Sequence, residues 1–224
     1  MQKLKTFRHE FKYNIPYEES LNLRSKFNEL LRIDRSYNGY MIRSLYFDSI
    51  DDNDYYDKIG GECVRKKIRL RIYENNPNLV KLEVKQKNDI HQLKESLVIN
   101  VEMASELING NYSVLLGLND DLANKIYYIM IEGVYRPKVI IEYDRIAYIG
   151  ADTTRITFDY NVKRSFDFAN FFDGNICYLP LTDEKDVILE VKFDRFLEPY
   201  IGNILSKHTG RFQSVSKYVM GRNM

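Results

Sequence analysis

The sequence predicts a β-dominated α+β fold: an antiparallel β-barrel closed into a tunnel, with a polar, cationic lumen and flanking helices. Three observations predict it. First, several segments alternate in character with a period of two. Lys67, Arg69, Arg71 and Tyr73 alternate with Ile68, Leu70 and Ile72; Lys81, Glu83, Lys85 and Lys87 with Val80, Leu82 and Val84; Glu190, Lys192 and Asp194 with Leu189, Val191 and Phe193. A strand points successive side chains to opposite faces, so each segment carries one apolar and one charged face. Second, the charged faces are biased. Five segments (8–12, 67–73, 81–87, 155–159, 190–194) carry ten cations, Arg8, Lys12, Lys67, Arg69, Arg71, Lys81, Lys85, Lys87, Arg155 and Lys192, against five anions, Glu10, Glu83, Asp159, Glu190 and Asp194. The whole chain is only +1, so the remainder is net acidic. Third, amphipathic stretches at 16–31, 101–132 and 199–220 can cover the apolar faces. A barrel with its polar side inward satisfies all three, leaving a water-filled channel. An open antiparallel sheet with its basic side in water satisfies them too.

The elements follow in order. A first strand covers Phe7–Asn14. Pro16 opens a helix whose Leu23, Phe27, Leu30 and Leu31 recur at helical spacing. Ile42–Asp48 reads as a strand and Asp51–Asp54 as a turn or a short helix start. The two long charged strands join through Asn75-Asn-Pro-Asn78, a hairpin connection. Residues 101–132 are helical in pieces interrupted near Gly110 and Gly117, with Asn119 as a cap. Pro137–Ile149, Arg155–Tyr160 and Val187–Phe193 are strands. A loose aromatic stretch spans Asn161–Pro180, and the tail from Pro199 is helical in two segments broken around Gly210. No repeat or linker divides the chain, so residues 1–224 read as a single domain.

Composition narrows the function classes. With 224 residues, 44% hydrophobic and 29% charged, the chain has the profile of a soluble globular protein. Near-zero net charge argues against a general nucleic-acid coat. Cys63 and Cys177 lack metal-ligand spacing and read as free thiols or one disulfide. The amino terminus has no signal-peptide core, and no apolar run reaches the ~20 residues that span a bilayer, so the expected location is cytoplasmic. If the cationic faces converge, like charges about 5 Å apart repel by roughly 3 kcal/mol per pair at an effective dielectric of about 20. Such a site calls for a polyanion. His9, His91 and His208 are dispersed, Tyr127, Tyr128 and Tyr148 read as core, and Asp51–Asp54 lacks the Gly and Glu positions of a calcium loop. Glu83 is expected to pair with Lys81 or Lys85; Glu142 is balanced between ion pairing and metal contact.

Eight motifs then carry a resemblance: Arg8-His-Glu-Phe-Lys-Tyr13, Ser44-Leu-Tyr-Phe-Asp48, Lys67-Ile-Arg-Leu-Arg-Ile-Tyr73, Leu82-Glu-Val-Lys85, Tyr143-Asp-Arg145, Arg155-Ile-Thr-Phe-Asp159, Leu189-Glu-Val-Lys192 and Ser216-Lys-Tyr218. In this order the chain resembles the catalytic domain of the vacuolar transporter chaperone (VTC) polyphosphate polymerases, within the triphosphate tunnel metalloenzyme superfamily. The resemblance implies a tunnel that holds a triphosphate or polyphosphate, with ATP as phosphoryl donor and Mn²⁺ or Mg²⁺ as cofactor. It implies phosphate contacts from Lys12, Arg69, Arg71, Lys85, Arg145, Arg155 and Lys217, with Lys94, Arg8 and Lys192 beside them and Tyr143 and Ser216 as hydrogen-bonding neighbours. Glu190, with Glu10, would hold the metal. Many tunnel enzymes open with Glu-x-Glu-x-Lys, whereas Arg8 stands here at the first Glu, which moves the expectation from hydrolase towards polymerase. Tripolyphosphate or nucleoside triphosphate hydrolysis, or polyanion binding without turnover, remain the alternatives. No phosphate-sensing or membrane-spanning domain of the eukaryotic polymerase subunits is expected, and protein partners are not specified.

Overall fold

The computed structural model describes residues 8–74, 76–89, 91–151, 153–206, 211–212 and 216–223. In chain order the elements are β1 (Arg8–Pro16), α1 (Tyr17–Leu30), β2 (Arg32–Asp34), β3 (Tyr40–Asp48), α2 (Asn53–Gly60), β4 (Val64–Tyr73), β5 (Asn76–Asn88) and β6 (His91–Ile99). They continue with α3 (Val101–Ile108), a 3₁₀ segment (Tyr112–Leu118), α4 (Asp121–Glu132), β7 (Arg136–Ile149), β8 (Arg155–Ser165), β9 (Leu179–Pro180), β10 (Asp186–Asp194), α5 (Pro199–Ser206), β11 (Arg211–Phe212) and α6 (Lys217–Arg222). The residues gather into two compact units. The first comprises Met1–Met41, Tyr143–Val162 and Pro180–Ser216; the second comprises Ile42–Glu142, Lys163–Leu179 and Lys217–Met224.

In the first unit the hydrogen-bonded strand order is β11-β1-β10-β8-β7, with β2 beside β7. The period-two pattern fixes which face is buried. Ile156, Phe158, Val187, Leu189 and Val191 turn to one side and pack with Leu23 and Phe27 of α1 and Ile201 of α5. Pro16 sits at the start of α1 with its ring-fixed φ of −61°. Leu23 and Phe27 are fully buried, but Leu30 is 51% exposed. The chain leaves the helix at Leu31 in an extended conformation, and Leu31 turns into the core instead. Gly39 is required where β3 begins: its φ is +80°, and a Cβ there would meet the Arg145 carbonyl oxygen at 2.7 Å.

In the second unit the order is β7-β3-β4-β5-β6. Ile68, Leu70, Ile72, Val80, Leu82 and Val84 are all buried to completion against Ala104, Leu107, Leu115, Ala123, Ile126 and Met130 of the helical segments. The anticipated helical cover of 101–132 is thus present, in the three pieces expected. Its cap differs: the Asp120 carboxylate accepts from Leu122 N and Ala123 N, while Asn119 takes a left-handed conformation with φ 49°. Tyr148 is core, but Tyr128 on α4 is 65% exposed. Four strands differ from the expectation: β2, β9 and β11, each of two or three residues, and β6, where the stretch from His91 to Ser96 shows no two-residue apolar period. β8 also runs five residues beyond Tyr160 into the aromatic stretch.

Every strand pair with a described register is antiparallel. Among the described residues the ladder ends at β11 and β6, and hydrogen-bonded closure into a barrel is not part of it. Residue 75 of the hairpin connection and the break around Gly210 lie outside the described residues. Cys63 and Cys177 are exposed and unbridged. No helix among the described residues is long and apolar enough to cross a membrane.

Because Phe27 is fully enclosed by Tyr148 and Phe158, Phe27→Ala should destabilise the protein by about 3–5 kcal/mol. Urea unfolding checks this; a loss under 1 kcal/mol would mean that the first unit's core does not depend on α1.

Candidate anion-binding site

The second unit concentrates positive charge on the face of β4, β5 and β6 away from the helices. Residues directly opposite in a sheet share a face. Register places Lys67 opposite Lys85 and Lys85 opposite Lys94, a row of three ammonium-bearing side chains across three strands. The next row holds Tyr46, Arg69, Glu83 and Ser96, and the one beyond it Ser44, Arg71 and Lys81. Six cations on these strands therefore surround one carboxylate, Glu83.

Glu83 is almost completely buried. Arg69 Nε and Nη2 lie 2.7 and 2.6 Å from its Oε2, Arg71 Nη1 lies 3.8 Å from the same oxygen, and Lys94 Nζ is 2.5 Å from Oε1. Burial pushes the carboxyl up, but Arg69, Arg71 and Lys94 outweigh it and hold the group at about 2. Glu83 is thus an ion-pairing carboxylate, with Arg69, Arg71 and Lys94 as partners beyond the two lysines expected from sequence. Arg69 also donates to Tyr46 Oη at 3.0 Å and Arg71 to Ser44 Oγ at 3.1 Å. Both guanidinium forks are therefore held from two sides.

α6 is tied to this face by aromatic and polar contacts. Tyr218 stacks on Tyr46 with ring centroids 5.2 Å apart, and Lys67 Nζ lies 5.3 Å from the Tyr218 ring centre. Tyr218 donates to the buried Asp48 carboxylate, which also accepts from Ser49 N, Asp54 N and Tyr55 N. Lys217, the first residue of α6, acts on Tyr46. Burial would raise the Tyr46 hydroxyl, but Arg69 and Arg71, with a smaller contribution from Lys217, bring it below its ordinary value.

The first unit presents a different charge pattern. Lys12 stands opposite Glu190 and Glu10 opposite Lys192. Lys12 Nζ lies 2.7 Å from Glu10 Oε1 and 3.3 Å from Glu190 Oε1; Lys192 Nζ is 2.9 Å from Glu190 Oε2. Burial disfavours charge on both ends, yet Lys192 and Lys12 hold Glu190 well below the carboxylate range, and Glu190 with Glu10 holds Lys12 above the ordinary lysine value. Arg145 grips Asp159 with two bonds of 2.6 and 2.7 Å and lies over the Tyr143 ring. Arg155 donates to Asp34 at 2.5 Å and to Tyr40 at 3.1 Å. Four cations are here matched by four carboxylates.

Glu10 and Glu190 already converge on one cation, the Lys12 ammonium. Two carboxylates suit a small, hard divalent ion that takes its other ligands from phosphate and water. The donor set fits Mg²⁺ or Mn²⁺ in that shared mode. Among the described residues no group of three or more His, Cys, Asp or Glu side chains forms a metal cage.

The residues singled out from sequence thus fall into two sets. Arg69, Arg71, Lys85, Lys94 and Lys217 belong to the second unit; Lys12, Tyr143, Arg145, Arg155, Lys192, Glu10, Glu190 and the buried Ser216 belong to the first. The side chain of Arg8 lies outside the described residues, although its backbone pairs with Asp194.

The chain matches the VTC domain over residues 7–224. It belongs to the VTC domain family. No curated protein matches the chain. Among solved structures it is similar to HpAC1 of Hippeastrum, a putative adenylyl cyclase described as having a dominant triphosphatase activity (13% identity, TM-score 0.57, 95% of this chain and 94% of that one). It is also similar to PH1819 of Pyrococcus horikoshii (15%, 0.50, 96% and 97%) and to a chain of the Schizosaccharomyces pombe Mediator head module (8%, 0.51, 89% and 90%). At these identities the likeness is one of fold.

Within this VTC domain, two buried groups carry local structure that sequence did not flag. Arg43 donates to Glu142 at 2.7 Å and to the Phe171 and Asp173 carbonyls at 2.8 Å, pinning the aromatic stretch. Glu142 also takes Lys163 and Tyr178, so its role is ion pairing. Asp54 lies buried beside Asp48, accepting from Tyr135 at 3.0 Å, with Lys66 3.4 Å away. Burial, reinforced by Asp48 and only partly countered by Lys66, pushes its carboxyl up to about 7. An acid raised in the folded state stabilises most below its unfolded pKa, and that contribution is lost as pH rises through the folded value. Asp54→Asn should therefore raise the melting temperature above pH 7, with the gain shrinking as pH falls from 7 towards 4. A gain that is independent of pH in thermal melts would refute this assignment.

Proposed function

We propose that this VTC domain is a metal-dependent phosphotransferase that moves the γ-phosphoryl of ATP onto a growing polyphosphate chain. The observation that carries it is the six-cation face around Glu83, whose two guanidinium forks are pre-positioned by Tyr46 and Ser44. Phosphoryl transfer asks mainly for positioning and charge neutralisation. Arg forks each grip two phosphate oxygens, and lysines serve as mobile point charges along a polymer. In this reading Arg69, Arg71, Lys85, Lys94 and Lys217 of the second unit bind phosphates. The family resemblance adds Arg8, Lys12, Arg145, Arg155 and Lys192 as phosphate ligands, with Tyr143 and Ser216 as hydrogen-bonding neighbours. Glu190 and Glu10 would hold Mn²⁺ or Mg²⁺, which when bound neutralises phosphate oxygens. The reading includes one functional domain over residues 1–224, a closed barrel around the polymer, and a cytoplasmic setting.

Hydrolysis of tripolyphosphate or of nucleoside triphosphates is the second reading, favoured by the triphosphatase activity attributed to HpAC1. Purified protein incubated with ATP and Mn²⁺ should give a ladder of polyphosphate on a gel together with ADP. Arg69→Ala, Lys217→Ala and Glu190→Gln should each reduce product at least about a hundredfold, as removal of a charge-stabilising group does elsewhere. Orthophosphate without polymer would select hydrolysis. Binding of polyphosphate with neither product would leave a non-catalytic polyanion module.

A further inference from the structure

Glu83 is the anomaly of the second unit's cationic face. A face built only to attract a polyanion gains nothing from a buried carboxylate at its centre. This carboxylate nevertheless takes the two arginines and the lysine that the ligand would need. Arg69 spends Nε and Nη2 on it, Arg71 Nη1 is 3.8 Å away, and Lys94 Nζ is 2.5 Å from the other oxygen. Its register neighbours across the sheet are Arg69 on one side and Ser96 on the other, while the rows beside it contain the opposed pairs Lys67–Lys85, Lys85–Lys94 and Arg71–Lys81. Without Glu83 these rows would hold like charges directly opposite one another and lack the carboxylate that Arg69, Arg71 and Lys94 share.

We propose that Glu83 is the resident counter-anion of this site: it holds Arg69, Arg71 and Lys94 together when the site is empty, and it competes with an incoming phosphate chain for them. The chain consequently binds loosely enough to leave. Lys94 is the arm that changes partner, since its side chain is 51% exposed while Glu83 is 1% exposed. A long ammonium on the solvent side can swing to a phosphate without moving the strand, whereas Glu83 cannot follow it. Arg69 keeps its bond to Tyr46 during the exchange, so its fork does not lose orientation. The inference rests on the second unit's face being a phosphate-binding site, as the proposed function holds.

Removing the negative charge while keeping the shape tests it. Inorganic tripolyphosphate, titrated calorimetrically into the protein without divalent metal, should bind Glu83→Gln at least about tenfold more tightly than wild type. The salt dependence should be steeper, because more of the ligand's charge is then answered by the protein. If ATP is turned over, KM and kcat should fall together in the variant, the mark of a product that leaves slowly. Glu83→Asp, which keeps the charge, should not tighten binding. Should Glu83→Gln fail to fold alone, tripolyphosphate should restore its folded circular dichroism spectrum, and sodium chloride at the same ionic strength should not. Equal or weaker binding by a folded Glu83→Gln, or no rescue of an unfolded one, overturns the inference. A wild-type protein that binds no tripolyphosphate overturns the proposed function instead.

Discussion

Like charges stacked across neighbouring strands repel, and the second unit is organised around tolerating that repulsion. Lys67, Lys85 and Lys94 stand in one row and Arg71 faces Lys81. Like charges directly opposite in a sheet are destabilising. The other side of the same strands supplies the offset. Ile68, Leu70, Ile72, Val80, Leu82 and Val84 are completely buried, and burying one such side chain contributes about 1.5–3 kcal/mol. Their burial works against that repulsion, so the apolar face tolerates a cationic one on its other side. This is why the helical segments of 101–132 matter to the site although none of their side chains is placed in it: they keep the apolar face dry.

The first unit meets the same problem differently. There each cation is met by a carboxylate, so Lys12, Lys192, Arg145 and Arg155 are spoken for before any ligand arrives. Buried ion pairs of this kind add little net stability, since desolvation removes much of the Coulombic gain. What they supply is fixed geometry, and it is fixed around two carboxylates that already share a cation. The two charge patterns therefore differ: the first unit's cations are matched one to one by carboxylates, whereas Glu83 of the second unit is shared by Arg69, Arg71 and Lys94.

Much of this was legible in the sequence. The alternation of Lys67–Tyr73 and Leu79–Lys87 gave both the strands and the identity of the cationic face, because period two is a local property. Pro16, Leu23 and Phe27 likewise marked α1. What could not be read was pairing. Nothing in the order of residues says that Glu83 meets Arg69 across a strand and Lys94 from the next one, since that depends on register. Arg43 reaching Glu142 and the carbonyls of Phe171 and Asp173 spans about a hundred residues or more in sequence. β6 is not legible because Leu93 and Val98, on opposite faces of this edge strand, are both exposed, so its first residues carry no burial pattern. The helix cap was misplaced by one residue: Asn and Asp both cap, and only the backbone shows that Asn119 is left-handed and Asp120 extended.

The short terminal helix shows how a weak element can deliver a charged side chain accurately. α6 has six residues, too few to be stable by helix propensity alone. It is held by side chains instead. Tyr218 bonds to Asp48 and stacks on Tyr46, Arg222 bonds to Asp52 at 2.7 Å, and Arg164 bonds to the Gly221 and Asn223 carbonyls. Gly221 lets the helix approach β7, since a Cβ there would run into Val139 and Ile141. Asp48 meanwhile accepts backbone hydrogens at the start of α2, so one buried carboxylate fixes two helix ends. Tyr46 is bonded to Arg69 and stacked on Tyr218, so two aromatic rings link the arginine fork to the helix that begins at Lys217.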